Sequence, residues 1–238
     1  MGRAHEVRAA SMAKTAAIKS KLYSRYGKEL YIAAKSGEPD PEMNLTLKRK
    51  IAEAKAAQVP ADVIKRAIEK AKGSSNESYD SLRYEGFGPG ESTVIIDCLT
   101  DNSNRTIASI NQVFNKSKCK LGVKGSVSFN YDNLGILSFK YDDEDKILEI
   151  LMEADVDVND IEKEDGSITV YVSPTDLHKA QEAINAELGE IEYDVLAIKM
   201  LPHEYVELND TDKELFNRLL TLLDDVDDVN EVFHNVIL

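Results

Sequence analysis

Cysteine is scarce: Cys98 and Cys119 are the two in 238 residues, and no CxxC pair occurs. That argues against a disulfide framework or a cysteine-based zinc site and fits a reducing compartment. No apolar run approaches the ~18 residues of a membrane-spanning helix. The opening MGRAHEVRAA carries charge where a secretion signal carries its apolar stretch, so a cytoplasmic protein is expected. His5, His178, His203 and His234 fall on different predicted elements without ligand spacing. A nucleophile elbow, a phosphate loop ending in Lys-Ser or Lys-Thr, and a paired Cys and His motif are all missing. These absences argue against an enzyme. No metal, cofactor, small-molecule substrate or membrane partner is expected.

What is present is charge, unevenly divided. Residues 1–75 hold 16 Lys and Arg against 8 Asp and Glu, a net of +8. The other 163 residues hold 13 against 35, a net of −22, and the whole chain carries −14. A basic head on an acidic body predicts a polyanion partner for the head. The body does not cancel that attraction, because screening at physiological salt has a length of ~8 Å.

Residues 1–8 show no apolar periodicity and carry Arg3, His5 and Arg8, which reads as a basic arm. Ala13–Lys35 reads as one long helix, with Ile18, Leu22, Tyr26, Leu30 and Ala33 on a buried stripe. Lys14, Lys21, Arg25, Lys28 and Lys35 form a cationic stripe beside it. Ser36 to Pro41 stops the helix, with Gly37 as a C-cap and two prolines blocking continuation. A second helix is predicted over Glu42–Gln58, with Leu47, Ile51 and Ala54 inward and Lys48, Arg49, Lys50 and Lys55 outward. Pro60 starts a third, where its missing N–H costs nothing. Ile64, Ala67, Ile68 and Ala71 face in, Lys65, Arg66, Lys70 and Lys72 face out, and Gly73 ends it. Three helices with short links make a small bundle. A single exposed lysine is ordinarily a solvated helix face. A cluster gains from the counterions that bound phosphates release.

The polar stretch Gly73–Ser78 marks a domain boundary. Tyr84-Glu85-Gly86-Phe87-Gly88-Pro89-Gly90-Glu91 reads as a turn that packs Tyr84 and Phe87 on a neighbour. Its glycines do not make a nucleotide loop, because it feeds the strand Thr93–Leu99 instead of leaving a strand for a helix. Ile107, Ile110, Val113 and Phe114 mark the next helix, which Asp101, Asn102 or Ser103 can cap. A loop over Leu121–Gly125 and a strand over Ser126–Tyr131 follow. From Asn102 to Tyr131 there are five cations (Arg105, Lys116, Lys118, Lys120 and Lys124) and no acid. This island is expected to extend the basic face. Asn104 and Arg105 beside Asp101 could form a polar site, but a capped helix start with an ion pair is the better reading.

The motifs of this stretch and the head resemble those of the YebC/PmpR family, which includes the mitochondrial translational activator of cytochrome c oxidase subunit one. The resemblance rests on Met1-Gly2-Arg3-Ala4, Gly37-Glu38-Pro39-Asp40-Pro41-Glu42 and Ala54-Lys55-Ala56-Ala57-Gln58-Val59-Pro60. It rests also on Tyr84-Glu85-Gly86-Phe87-Gly88-Pro89, Leu99-Thr100-Asp101-Asn102 with Asn104-Arg105-Thr106, and Gly125-Ser126-Val127-Ser128-Phe129. These lie in order and, with the acidic end, span essentially the whole chain. The resemblance implies three domains, DNA-binding regulation of transcription, and for the mitochondrial relatives a role in translation. Family members commonly carry a Trp near the N-terminus; this chain has no Trp, so contacts imputed to it do not carry over.

In the acidic body, strands over Gly135–Tyr141, Val158–Lys163, Ser167–Val172 and Ile191–Met200 alternate with helices over Glu144–Ala154 and Thr175–Leu188. The order β-α-β-β-α-β is ferredoxin-like, and Asp165-Gly166 suits its hairpin. A strand Glu204–Asn209, a helix Thr211–Leu223 and a strand Val229–Val236 would complete a second such unit with residues 93–131. The fold class is therefore α+β: an N-terminal three-helix bundle, then two ferredoxin-like units, one inserted in the other. The expected domains are 1–75, 76–132 with 202–238, and 133–201. Asp155, Asp157 and Asn159 begin like a calcium loop, but Asp160 and Gly166 stand where Gly and Glu are needed. Asp224-Asp225 and Asp227-Asp228 read as a solvated turn that, with Asp142 to Asp145, repels polyanions from the body.

Three functions compete. The first is a DNA-binding transcriptional regulator; the second grips ribosomal RNA as a translation factor, with Phe139, Tyr141 and Tyr171 as candidate RNA-stacking aromatics. The third is an adaptor for an acidic protein. The first two share the candidate nucleic-acid contacts Arg3, Arg8, Lys14, Lys21, Arg25, Lys28, Lys48, Arg49, Lys50, Lys55, Lys65, Arg66 and Arg105. Oligomeric state is left open.

Overall fold

The computed structural model describes residues 21–73, 79–164 and 166–237. Expectations about residues 1–20, most of the 73–78 junction and Asp165 lie outside these. Its contacts divide the chain into two compact units. The first runs to Leu82 and adds Asp97–Ile110 and Asp224–Asn230; the second holds Arg83–Ile96, Asn111–Leu223 and Glu231–Leu238.

In the first unit residues 21–35 are helical (α1), followed by α2 (Leu45–Ala56) and α3 (Ala61–Lys72). Their shared core contains Tyr26, Leu30, Ala33, Leu47, Ala54, Ile64, Ala67 and Ala71, with Leu22, Ile51 and Ile68 packed against it. That is the apolar face the helical spacing predicts. The second helix starts three residues later than expected. Asn44 takes the N-cap: its side-chain oxygen accepts from Leu47 N–H at 3.0 Å, while Nδ2 donates to Ala33 O (2.8 Å) and Glu38 O (2.9 Å). One amide thus closes α1 and opens α2, satisfying groups that helix ends leave unpaired. A Cβ on Gly37 would meet Asn44 Nδ2 at 3.0 Å, so the glycine clears room for the cap. Pro60 caps α3 instead of being its first residue. Gln58, at φ 57, ends α2: its N–H donates to Lys55 O and that of buried Val59 to Ala54 O, both at 2.9 Å. This is the paired closure usually built on glycine.

The strands are β1 (Asp80–Phe87), β2 (Thr93–Thr100), β3 (Lys120–Leu121), β4 (Tyr131–Lys140), β5 (Val158–Glu164), β6 (Ser167–Val172), β7 (Tyr193–Pro202) and β8 (Val229–His234). The remaining α-helices are α4 (Ser103–Lys116), α5 (Glu144–Glu153), α6 (Leu177–Leu188) and α7 (Asp210–Asp224). The strands form two four-stranded sheets, β3-β1-β2-β8 and β5-β6-β4-β7.

The second sheet, wholly inside the second unit, has the predicted β-α-β-β-α-β order and the ferredoxin-like strand arrangement. β4 pairs antiparallel with both β6 and β7. One face packs on α5 and α6 through Leu137, Phe139, Ile147, Leu151, Ile168, Val170, Val172 and Ile184. Each such side chain contributes ~1.5–3 kcal/mol on burial. Asp155 ends α5 in the same left-handed conformation as Gln58 and pairs with Lys179, so the calcium-like sequence is a helix terminus.

The first sheet differs from expectation in membership. Tyr84–Phe87, read as a turn, belongs to β1. Ser126–Tyr131, read as a strand, is a turn and a short 3-10 helix (Ser128–Asn130) before β4 begins at Tyr131. The cause is Glu85, whose carboxylate takes the N–H groups that a ladder would need. Glu204–Asn209 is no strand either. Val206 makes one parallel bridge to Val236, and Asn209 turns to cap α7 by accepting from Asp212 N–H at 3.0 Å.

Candidate nucleic-acid interface

The candidate cations of the head divide into two groups. Lys21 pairs with Asp224 at 2.8 Å. Arg25 donates from Nη1 to Asn230 O (3.1 Å) and lies over the Tyr26 ring. Lys28 donates to Asp227 O (3.1 Å) and reaches Asp228 (3.5 Å). Lys21, Arg25 and Lys28 of the α1 stripe are therefore spent on the 224–230 turn, its carboxylates and its carbonyls, and are partly covered, while Lys35 at the end of the helix is exposed. Lys50 sits between Glu29 (3.1 Å) and Glu53 (2.6 Å). Burial lowers its pKa, but the two carboxylates outweigh that and hold it above the ordinary value. Arg49 shares Glu53 at 3.5 Å and is also mostly covered.

The exposed candidates are Lys48, Lys55, Lys65 and Arg66, and Lys35, Lys70 and Lys72 are exposed beside them. Lys48 meets Glu42 at 3.6 Å, Lys65 meets Glu69 at 3.9 Å, and Arg66 meets Asp62 at 2.6 Å. Exposed pairs of this kind contribute ~0–1 kcal/mol, so a phosphate can displace them. Among the described residues no ion pair holds Lys55 or Lys72. Lys55, Lys65 and Lys72 converge on one groove of about 410 Å³ beside α3, floored by Ile64 and Ile68. Arg3, Arg8 and Lys14 lie outside the described residues.

Arg105 is a structural cation. It donates to Asp101 (2.7 Å) and to Asp228 from both Nε (3.2 Å) and Nη2 (2.9 Å). Asp228 also accepts from Thr106 Oγ1 at 3.0 Å. Asn102 caps α4, accepting from Arg105 N–H at 3.1 Å, and Thr100 Oγ1 accepts from Asn102 N–H at 2.9 Å. The candidate polar site at Asp101, Asn104 and Arg105 is thus a helix start tied to a buried carboxylate. Burial pushes the Asp228 pKa up, but the Arg105 and Thr106 hydrogen bonds and the Lys28 charge bring it below the ordinary value. Asp228 is 6 % exposed, which corrects the expectation of a solvated turn at that position, while Asp224, Asp225 and Asp227 are exposed as expected.

The lysine island behaves differently. Lys116, Lys118, Lys120 and Lys124 are all exposed, and no ion pair holds them among the described residues. The loop that carries Lys124 folds onto Glu85, which accepts from the N–H groups of Gly125 (2.7 Å), Val127 (2.6 Å) and Ser128 (2.9 Å). Burial raises the Glu85 pKa, and those three donors more than reverse it. Gly86 beside it has no room for a Cβ, which would stand 2.3 Å from the Phe114 ring. The glycines of this motif therefore serve packing and a hairpin turn.

On the open face of the ferredoxin-like sheet, Phe139 and Tyr141 are not available as stacking residues. Phe139 is fully buried and Tyr141 packs toward it. Tyr171 does face outward, opposite Asp160, with its hydroxyl donating to Glu162 at 3.2 Å. Burial first, then the Glu162 charge, pushes that phenol up to about 12. An acidic face of this kind repels phosphates.

Two family models match the chain: the N-terminal domain of TACO1/YebC proteins over residues 3–74, and their second and third domain over residues 79–236. The chain belongs to the TACO1/YebC family. Among relatives, a protein of Vibrio parahaemolyticus is 52% identical over 99% of both chains. One of Acholeplasma laidlawii is 52% identical over 100% of this chain and 98% of its own. One of Alcanivorax borkumensis is 47% identical over 99% of both. All three are named probable transcriptional regulatory proteins. The crystal structure of a conserved hypothetical protein from Aquifex aeolicus matches with a TM-score of 0.75 and 29% identity, covering 92% of this chain and 90% of that one. The TACO1/YebC motifs have visible physical reasons here: Gly37 clears the Asn44 cap, Gln58-Val59-Pro60 closes one helix before the next, Glu85 gathers a loop, and Arg105-Thr106 binds Asp228. Among the described residues no helix is long and apolar enough to cross a membrane, and no cluster of His, Cys, Asp or Glu is arranged to hold a metal ion.

Proposed function

We propose that this protein is a cytoplasmic, non-enzymatic regulator of gene expression that binds nucleic acid through the phosphate backbone, with DNA as the first target. The observation that carries the reading is the groove beside α3, where the exposed Lys55, Lys65 and Lys72 outnumber the carboxylates Asp40 and Glu69 and only Lys65 is ion-paired among the described residues, loosely, to Glu69 at 3.9 Å. The relatives' names support transcription as the process. The start of α3 presents Ala61 and Asp62, without Asn, Gln or Arg to read base edges, so the binding is one of position and charge more than sequence. That same lack favours a second reading, recognition of structured ribosomal RNA by shape, as a translation factor would use.

The test is binding of the full chain to duplex DNA, structured RNA and ribosomes across salt. Each phosphate contact contributes about 0.9 to the slope of log K against log salt on duplex DNA. The triple variant Lys55→Ala/Lys65→Ala/Lys72→Ala is expected to flatten that slope by about 2.7. Tight duplex binding favours transcription, and ribosome co-sedimentation at moderate salt favours translation. A triple variant with the slope of the parent would place the contact elsewhere.

A further inference from the structure

A second feature of the molecule has the chemistry of a nucleic-acid contact and lies outside the head. The segment Lys116–Phe129 leaves α4, makes the short strand β3 and returns as a tight loop. Two of its apolar side chains are unusually open, Val123 at 78% exposed and Phe129 at 68%, with Phe87 of the paired strand at 38%, while Val127 between them is buried. Lys120 pairs with Phe87 in the ladder, and Gly122 N–H donates to Glu85 O at 2.8 Å. Ser126 N–H donates to Val123 O at 3.1 Å, closing a turn with Lys124 at its tip and Gly125 at φ +85. The three N–H groups held by the Glu85 carboxylate then fix the backbone up to Ser128, immediately before Phe129.

Isolated exposed apolar residues are ordinary. Here an aromatic ring stands on a loop held by a buried carboxylate, interleaved with lysines that pair with no carboxylate among the described residues. A partner that stacks a flat ring and supplies negative charge fits both properties, and single-stranded nucleic acid supplies both along its length. A protein partner with an acidic apolar patch would meet the charge but would not need a ring presented at the surface.

We propose that the Lys116–Phe129 loop is a single-strand contact, in which Phe129 stacks on an unpaired base while Lys120 and Lys124 meet the flanking phosphates. The proposal rests on the nucleic-acid-binding reading above and adds a second site with a different preferred form of ligand.

The chain has no Trp, so Phe129→Trp places a single fluorescent reporter at the site. An oligothymidylate of about 20 nucleotides, longer than the ~4–16 an extended site covers, serves as the probe beside a duplex. Emission of the Trp variant is expected to be quenched by the oligothymidylate and not by the duplex. Phe129→Ala is expected to weaken oligothymidylate binding about tenfold, the loss of one stacked base, and to leave duplex binding within about twofold. Lys120→Ala/Lys124→Ala is expected to flatten the single-strand salt slope by about 1.4. Unquenched emission, or equal loss on single strand and duplex in Phe129→Ala, overturns this proposal alone. Failure of the parent chain to bind any nucleic acid overturns the functional reading and this proposal with it. A parent that binds both forms while Phe129→Ala binds both as well as it does overturns the loop and leaves the head groove standing.

Discussion

Glu85→Ala is expected to cost about 3 kcal/mol of stability, because it takes the acceptor from the buried N–H of Val127 and the part-buried N–H groups of Gly125 and Ser128. Glu85 is 3% exposed, so water does not readily replace the carboxylate. Urea denaturation measures the loss. Hydrogen exchange locates it: these three amides are expected to be protected in the parent and fast in the variant. Glu85→Gln keeps the shape but turns an NH₂ group toward donors, and about 2 kcal/mol of loss is expected. The charge has a pH signature. Its folded pKa lies below the ordinary 4.5, so its contribution is fully present above that value and is lost as pH falls through the folded pKa. Glu85→Gln should therefore be less sensitive to acid than the parent over that range. Parent-like stability in Glu85→Ala would mean that the loop is held by something else.

Asp228→Ala is the other substitution with a large expected effect, about 3–5 kcal/mol, since it removes the buried acceptor shared by Arg105, Thr106 and Lys28. These residues come from α1, the start of α4 and the turn before β8, so one carboxylate ties together distant parts of the first unit. Asp227 is the control. It is exposed and offers Lys28 only its backbone carbonyl, so Asp227→Ala should stay within about 0.5 kcal/mol of the parent by urea denaturation. Equal effects at the two positions would refute the assigned role. The Asp228 charge also contributes on the alkaline side of its lowered pKa, and acid should weaken the first unit by the same sign.

Helical spacing and strand alternation made the bundle stripes and the ferredoxin-like sheet legible, because those signals are local and periodic. Leu22, Tyr26, Leu30 and Ala33 face a core as their spacing requires, and β5, β6 and β7 fall close to the predicted ranges. The departures come from side chains that take over backbone hydrogen bonds. Asn44 delays α2, Asn209 ends what read as a strand, and Glu85 turns Ser126–Ser128 into a folded loop. The glycines of Tyr84–Gly90 looked like a turn because the packing of Phe114 on Gly86 is invisible in sequence. The cations were hardest to sort. Lys21 and Asp224 are separated by 203 positions, so neither stripe nor spacing could reveal that α1 pairs Lys21 with a distant turn. Local pairs such as Arg66 with Asp62 were visible in principle at i,i+4, as was the acid-free run around Lys116–Lys124. Its exposure and its open Phe129 required coordinates.

The central claim is that nucleic acid meets the exposed, weakly paired lysines and not those already engaged by carboxylates or carbonyls. Lysine footprinting by acetylation, read by mass spectrometry with the full chain free and bound to nucleic acid, tests it most directly. Lys55, Lys65 and Lys72 are expected to react readily in the free chain and to be shielded by duplex DNA. Lys120 and Lys124 are expected to be shielded by a single strand, while Lys21, Lys28 and Lys50 stay slow throughout. Shielding that leaves the exposed lysines untouched, or an absence of shielding at saturating ligand, would contradict it.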